Sequence, residues 1–63
     1  MRKEEIRSTL RETERRLSKA KIQRIQAAHD GASDMRIEEL DAAVDAAREK
    51  CKVLRAMLWV TPT

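Results

Sequence analysis

The chain has 63 residues, with 14 Lys and Arg against 11 Asp and Glu for a formal net charge of +3. That length excludes more than one domain, and a chain so short rarely buries enough apolar surface to offset its ordering entropy unaided. Cys51 and His29, the only residues of their kinds, exclude a disulfide framework and a Cys/His zinc site, leaving self-association as the expected staple.

A charged fraction of 40% with 2% aromatic residues would suit a disordered chain, but the apolar residues are periodic, and periodicity predicts a fold. No apolar stretch approaches the length of a membrane span. Arg2, Lys3, Glu4 and Glu5 stand where a secretory leader would carry its apolar run, so a cytoplasmic setting is expected, and a lone thiol agrees with it. Charge divides unevenly: residues 1–30 carry nine basic and five acidic side chains, residues 31–63 five and six.

The first predicted element is a helix over about 2–29, built of good helix formers without Pro or Gly. Ile6, Leu10, Thr13, Leu17 and Ala20 recur at steps of three and four and mark its inner face. Ile22 and Ile25 fall roughly 140° and 80° away from Leu17, so the end of this helix is expected to bury a second side. Residues 30–33 follow as a turn. Gly31 suits a left-handed C-terminal cap, and Ser33 or Asp34 can accept from the free N–H groups of the next helix. So short a link makes the two helices antiparallel neighbours.

The second helix, over about 34–57, carries the clearest pattern. Ile37, Leu40, Val44, Ala47, Cys51, Leu54 and Leu58 are spaced 3, 4, 3, 4, 3, 4, an unbroken heptad seam. Ala42, Ala43, Ala46 and Ala47 leave room for a close neighbour. Asp34, Glu38, Glu39 and Asp41 open the helix while Lys50, Lys52 and Arg55 close it, matching the helix dipole. The tail then turns apolar at consecutive positions and ends at Pro62. It either frays or forms a short strand over 58–61 that pairs with its copy in a dimer and shields the apolar ends of helix 1.

The predicted fold class is therefore mainly α, an antiparallel two-helix hairpin with a short C-terminal strand in an intertwined homodimer. The seam and tail residues Ile37, Leu40, Val44, Ala47, Cys51, Leu54, Leu58, Trp59 and Val60 are the expected dimer interface. Left wet, several Leu- and Val-sized side chains would each forfeit about 2 kcal/mol, a large fraction of a small domain's stability.

No catalytic constellation is expected. His29 reads as a cation near a helix C-terminus, Cys51 as a small buried apolar side chain, and Glu38, Glu39, Asp41 and Asp45 as solvated helix-starting charge. No two groups have the matched roles a reaction needs, so an enzyme is not expected, nor a metal or cofactor. Two surfaces are candidates for binding, with core packing and a solvated charged face as the plain alternatives. Arg7, Arg11, Arg15 and Lys19 step by four along helix 1, with Arg16, Lys21 and Arg24 nearby, a basic face able to hold the phosphates of RNA or DNA. Glu12 and Glu14 interrupt it and no aromatic side chain interleaves. Met35, Met57, Trp59, Ile22 and Ile25 form the second candidate, an apolar cleft for a partner protein.

A chain of this length beginning MRKEEIRSTL, turning at HDGASD and ending MLWVTPT resembles the small early proteins encoded between the exonuclease and excisionase genes of lambdoid bacteriophages. The resemblance spans the whole chain without a catalytic or binding motif, so no site residue carries over. It implies two helices and a short strand in an intertwined dimer, and an accessory factor that favours lytic development by acting on a host or phage partner in the bacterial cytoplasm. Plasmid-encoded RNA-binding hairpin dimers have a similar size and architecture and grip RNA with a basic helix face. The side chains match them in pattern alone.

Overall fold

A computed structural model describes residues 2–62 and shows two helices, α1 (Lys3–His29) and α2 (Asp34–Val60), packed as an antiparallel hairpin. The hairpin is a rod of 48 × 14 × 12 Å. Glu4 and Glu5 lie in the first turn of α1 and Asp34 in that of α2, where negative charge faces the positive end of each helix dipole. Between the helices the chain reverses through Gly31, whose φ of +76° lies in the left-handed region that a side chain disfavours. The amides of Asp30, Gly31 and Ala32 donate to the carbonyls of Gln26, Ala28 and Ala27, satisfying acceptors that the end of α1 would otherwise leave open. Ser33 starts α2 by accepting from the Arg36 amide at 3.3 Å.

The core is one thin layer along the hairpin. Ile6 and Thr13 of α1 and Leu40, Val44, Cys51 and Leu54 of α2 are buried. Leu10, Leu17, Ala20, Ile37, Ala47 and Leu58 are partly covered and extend the same layer. Thr13 is the one polar side chain there among the described residues. Its hydroxyl donates to the Thr9 carbonyl at 2.7 Å, so it enters the layer with its hydrogen bond made. Two ion pairs cross between the helices: Arg24 with Asp41, and Arg55 with Glu14 at 3.3 Å. Together they show the antiparallel alignment, one contact nearer the turn and the other nearer the open end.

Three expectations are corrected. First, residues 58–61 form no strand: α2 runs through Val60, and the amide and hydroxyl of Thr61 both donate to the Met57 carbonyl. Leu58 keeps the heptad spacing from Leu54 and Cys51, so another helical turn keeps it against α1. A lone extended segment would leave its backbone groups without partners. Second, the seam does not need a second copy to be covered, because α1 of the same chain buries Leu40, Val44, Cys51 and Leu54. Third, the hairpin does not bury Ile22 and Ile25, which stay 55% and 65% exposed. Helix α2 lies over one side of α1 only, and these two residues lie off that side.

Candidate binding surfaces

The seven basic residues expected on one face of α1 divide between an outer strip and the edges of the hairpin. Arg7, Arg11, Arg15 and Lys19 are exposed and have no ion-pair partner among the described residues. They form a strip about 18 Å long at 1.5 Å per residue, winding slowly about α1, and its middle members Arg11 and Arg15 line an open pocket with Arg16 and with Lys50 of α2. Arg24 is engaged with Asp41 across the hairpin, and Arg16 lies 3.6 Å from Glu12 on its own helix. Lys21 borders a groove between the helices, along with Ile25, Val44, Asp45 and Arg48. Of the seven, Arg24 alone is tied across the hairpin and partly covered; the other six are exposed, Arg16 beside Glu12.

The five residues proposed as one apolar cleft are not brought together. Ile22 and Ile25 lie on α1 near the turn, and Met35 opens α2 at the same end. Met57 and Trp59 lie more than 20 residues further along α2, about 33 Å away at helical rise, at the open end of the rod. Trp59 is 90% exposed, while Met57 is partly covered. An antiparallel hairpin puts the N-terminal turn of one helix beside the last turn of the other, so Met35 and Met57 can share a helix without sharing a site. Near Trp59, the open end is bordered by Arg2, Lys3, Glu4, Thr61 and Pro62.

On the opposite edge of the hairpin from the Ile25 groove, a second groove is lined by Thr13, Arg16, Ala20, Ala43, Ala47 and Lys50, with the exposed Ala46 at its outer edge. Here the small residues of α2 do what their size allows, leaving a shallow channel with two cations at its rim.

Met35, expected in the apolar cleft, and Val60, expected in the dimer interface, lie together on one further surface. Met35, Ala42, Ala46, Val53 and Val60 are all exposed, and their steps of 7, 4, 7 and 7 keep them within roughly 40° of one another about α2. This stripe lies nearly opposite the seam that faces α1. The signal was present as a second heptad series, but its alanines and the intervening Glu39 and Glu49 make it weaker than the leucine seam beside it.

The single thiol, Cys51, is buried in the layer between the helices, and His29 lies at the turn with Nδ1 3.5 Å from a carboxylate oxygen of Asp30. Among the described residues no three His, Cys, Asp or Glu side chains are grouped to hold a metal ion, and no helix is long and apolar enough to cross a membrane. Comparison of the chain with known protein families, with curated proteins and with solved structures finds no match.

Proposed function

We propose that this protein acts by binding alone, as a self-associating helical hairpin of the phage early-region kind, and favours lytic development by engaging a host or phage protein in the bacterial cytoplasm. The observation that carries this reading is the outer surface. Ile22, Ile25, Met35, Val53, Trp59 and Val60 are each more than half exposed on a chain of only 63 residues. Exposed apolar side chains spread singly are ordinary, but Met35, Val53 and Val60 share one side of α2 with Ala42 and Ala46, and an apolar helix face is a feature of chains that bury it against another molecule. The hairpin supports the same reading through its shape. One thin core layer in a rod of 48 × 14 × 12 Å leaves most of both helices at the surface, available for recognition.

The second reading is that α1 grips a nucleic-acid backbone, and the specific observation favouring it is the unpaired strip Arg7, Arg11, Arg15 and Lys19. Such binding would be dominated by counterion release and would weaken steeply with salt. Affinity capture from phage-infected cells at 50 and at 500 mM salt separates the two readings. A protein partner retained at both concentrations supports the first. Recovery of RNA or DNA alone, lost at the higher salt, replaces it with the second.

A further inference from the structure

We infer that the outer face of α2 is a self-association surface, on which a second copy of the chain lies antiparallel. This rests on the reading of the protein as a self-associating hairpin and specifies which face does it. The seam expected to form the dimer is occupied by α1, so any second copy must use a surface the hairpin leaves open.

Three observations select the occupant and its direction. The first is area. The single chain exposes 5125 Å², against roughly 4,200 Å² for a compact monomer of 7.3 kDa. The excess, about 900 Å², belongs to the rod as a whole, and it leaves surface enough for a standard interface of ~800 Å² per partner. The second is the pattern. Met35, Ala42, Ala46, Val53 and Val60 run nearly the whole length of α2 on one side, with alanines at mid-length where two helix axes would come closest. An identical helix is a matching occupant for a stripe with this layout. Laid antiparallel, it sets Met35 beside Val60 of the second copy, Ala42 beside Val53 and Ala46 beside Glu49, so large apolar residues meet at the ends and at the centre a small alanine faces the Glu49 side chain.

The third is charge, and it decides the direction. Residues 34–47 of α2 carry five acids and one base, and residues 48–60 carry four bases and one acid. Antiparallel pairing places the acidic half of each helix on the basic half of the other and brings Asp45 within side-chain reach of Lys52 of the second copy. Parallel pairing would set −4 against −4 and +3 against +3. Like charges along a close helix pair oppose association, and opposite charges set register. In the antiparallel dimer each α1 lies on the far side of its own α2, so the two cationic strips face outward at opposite edges.

The test is sedimentation equilibrium at 1–100 µM combined with disulfide trapping. Ala46→Glu with Val53→Glu alters only exposed positions, so the helical circular dichroism of the hairpin should persist while self-association weakens at least tenfold. Asp45→Lys should weaken the dimer at low salt, and adding Lys52→Asp should restore it. In a Cys51→Ala background, Ala42→Cys with Val53→Cys together should give a covalent dimer under mild oxidation, and neither cysteine alone should. A wild-type chain that stays monomeric at 100 µM overturns both this inference and the self-association reading beneath it. A dimer that survives the Ala46→Glu, Val53→Glu change overturns the inference alone, because association then uses another face. Efficient trapping by Ala42→Cys alone overturns the antiparallel direction.

Discussion

At Gly31 an added Cβ would meet nothing within 4 Å, so the only penalty for a side chain there is its φ of +76°. That separates backbone strain from crowding. Gly31→Ala should cost about 1–2 kcal/mol, and Gly31→Asn less, because asparagine tolerates the left-handed region. Urea midpoints of the two variants check this, and equal losses would contradict it. Cys51 offers the complementary case of a residue defined by its surroundings. It is 1% exposed, so alkylation should be slow in the native protein and rise with urea in step with unfolding. Rapid labelling in the absence of denaturant would show that the layer between the helices is open. Burial of Cys51, Leu40 and Leu54 was legible in the sequence because each recurs at three- and four-residue steps, and one face of a helix satisfies all of them at once. The exposure of Trp59 was not legible. A lone aromatic beside Leu58 fits the core of a strand pair, the end of a seam or open solvent equally well until the helix is known to continue past it.

At the scale of the elements, the two helices and the turn between them follow from local chemistry that agrees with the long-range pattern, and for that reason they could be placed from the sequence. The tail could not. The residues of 58–61 prefer extended structure on intrinsic grounds, and the preference yields because a helix fills its own hydrogen bonds while a single strand does not. In the Ala46→Glu, Val53→Glu background, where the outer face of α2 no longer matters, substituting Val60 by proline would leave the seam intact and shorten only this last turn, so the helical signal should fall slightly with little loss of stability. A large loss would mean that the end of α2 holds the hairpin together. Ser33 caps α2 through an exposed bond of 3.3 Å, so Ser33→Ala should cost about 0.5–1 kcal/mol, toward the low end for such caps. The ion pairs between helices are also modest. The Arg24 and Asp41 side chains are 42% and 46% exposed, and solvent screens such a pair. A double-mutant cycle should give a coupling of roughly 0.2–1 kcal/mol, fading with added salt. These pairs align the helices; the layer of apolar side chains holds them.

For the whole molecule, size and shape set the stability problem. A radius of gyration of 14.4 Å exceeds the roughly 11 Å of a compact globule of this length, and only five apolar side chains are buried among the described residues. A rod with so little interior has a stability tied to whatever covers its outside. If a second copy does so, native dimer and unfolded monomers are linked by mass action, and the melting temperature must depend on protein concentration. A tenfold increase in concentration adds about 1.4 kcal/mol per dimer in favour of the folded state. Spread over the unfolding entropy of two chains, about 2.1 cal/mol/K for each residue, this raises the midpoint by roughly 5 °C. Melts followed by circular dichroism from 2 to 200 µM should therefore show a rise of about 10 °C while the dimer predominates, whereas a self-sufficient hairpin would melt at one temperature throughout. The Ala46→Glu, Val53→Glu variant supplies the internal control. Its core layer is untouched, so its midpoint should lose the concentration dependence and settle below that of the wild type. A wild type whose midpoint is equally flat would mean that the thin layer between α1 and α2 suffices, and that the apolar stripe on the back of α2 contributes nothing to holding the fold.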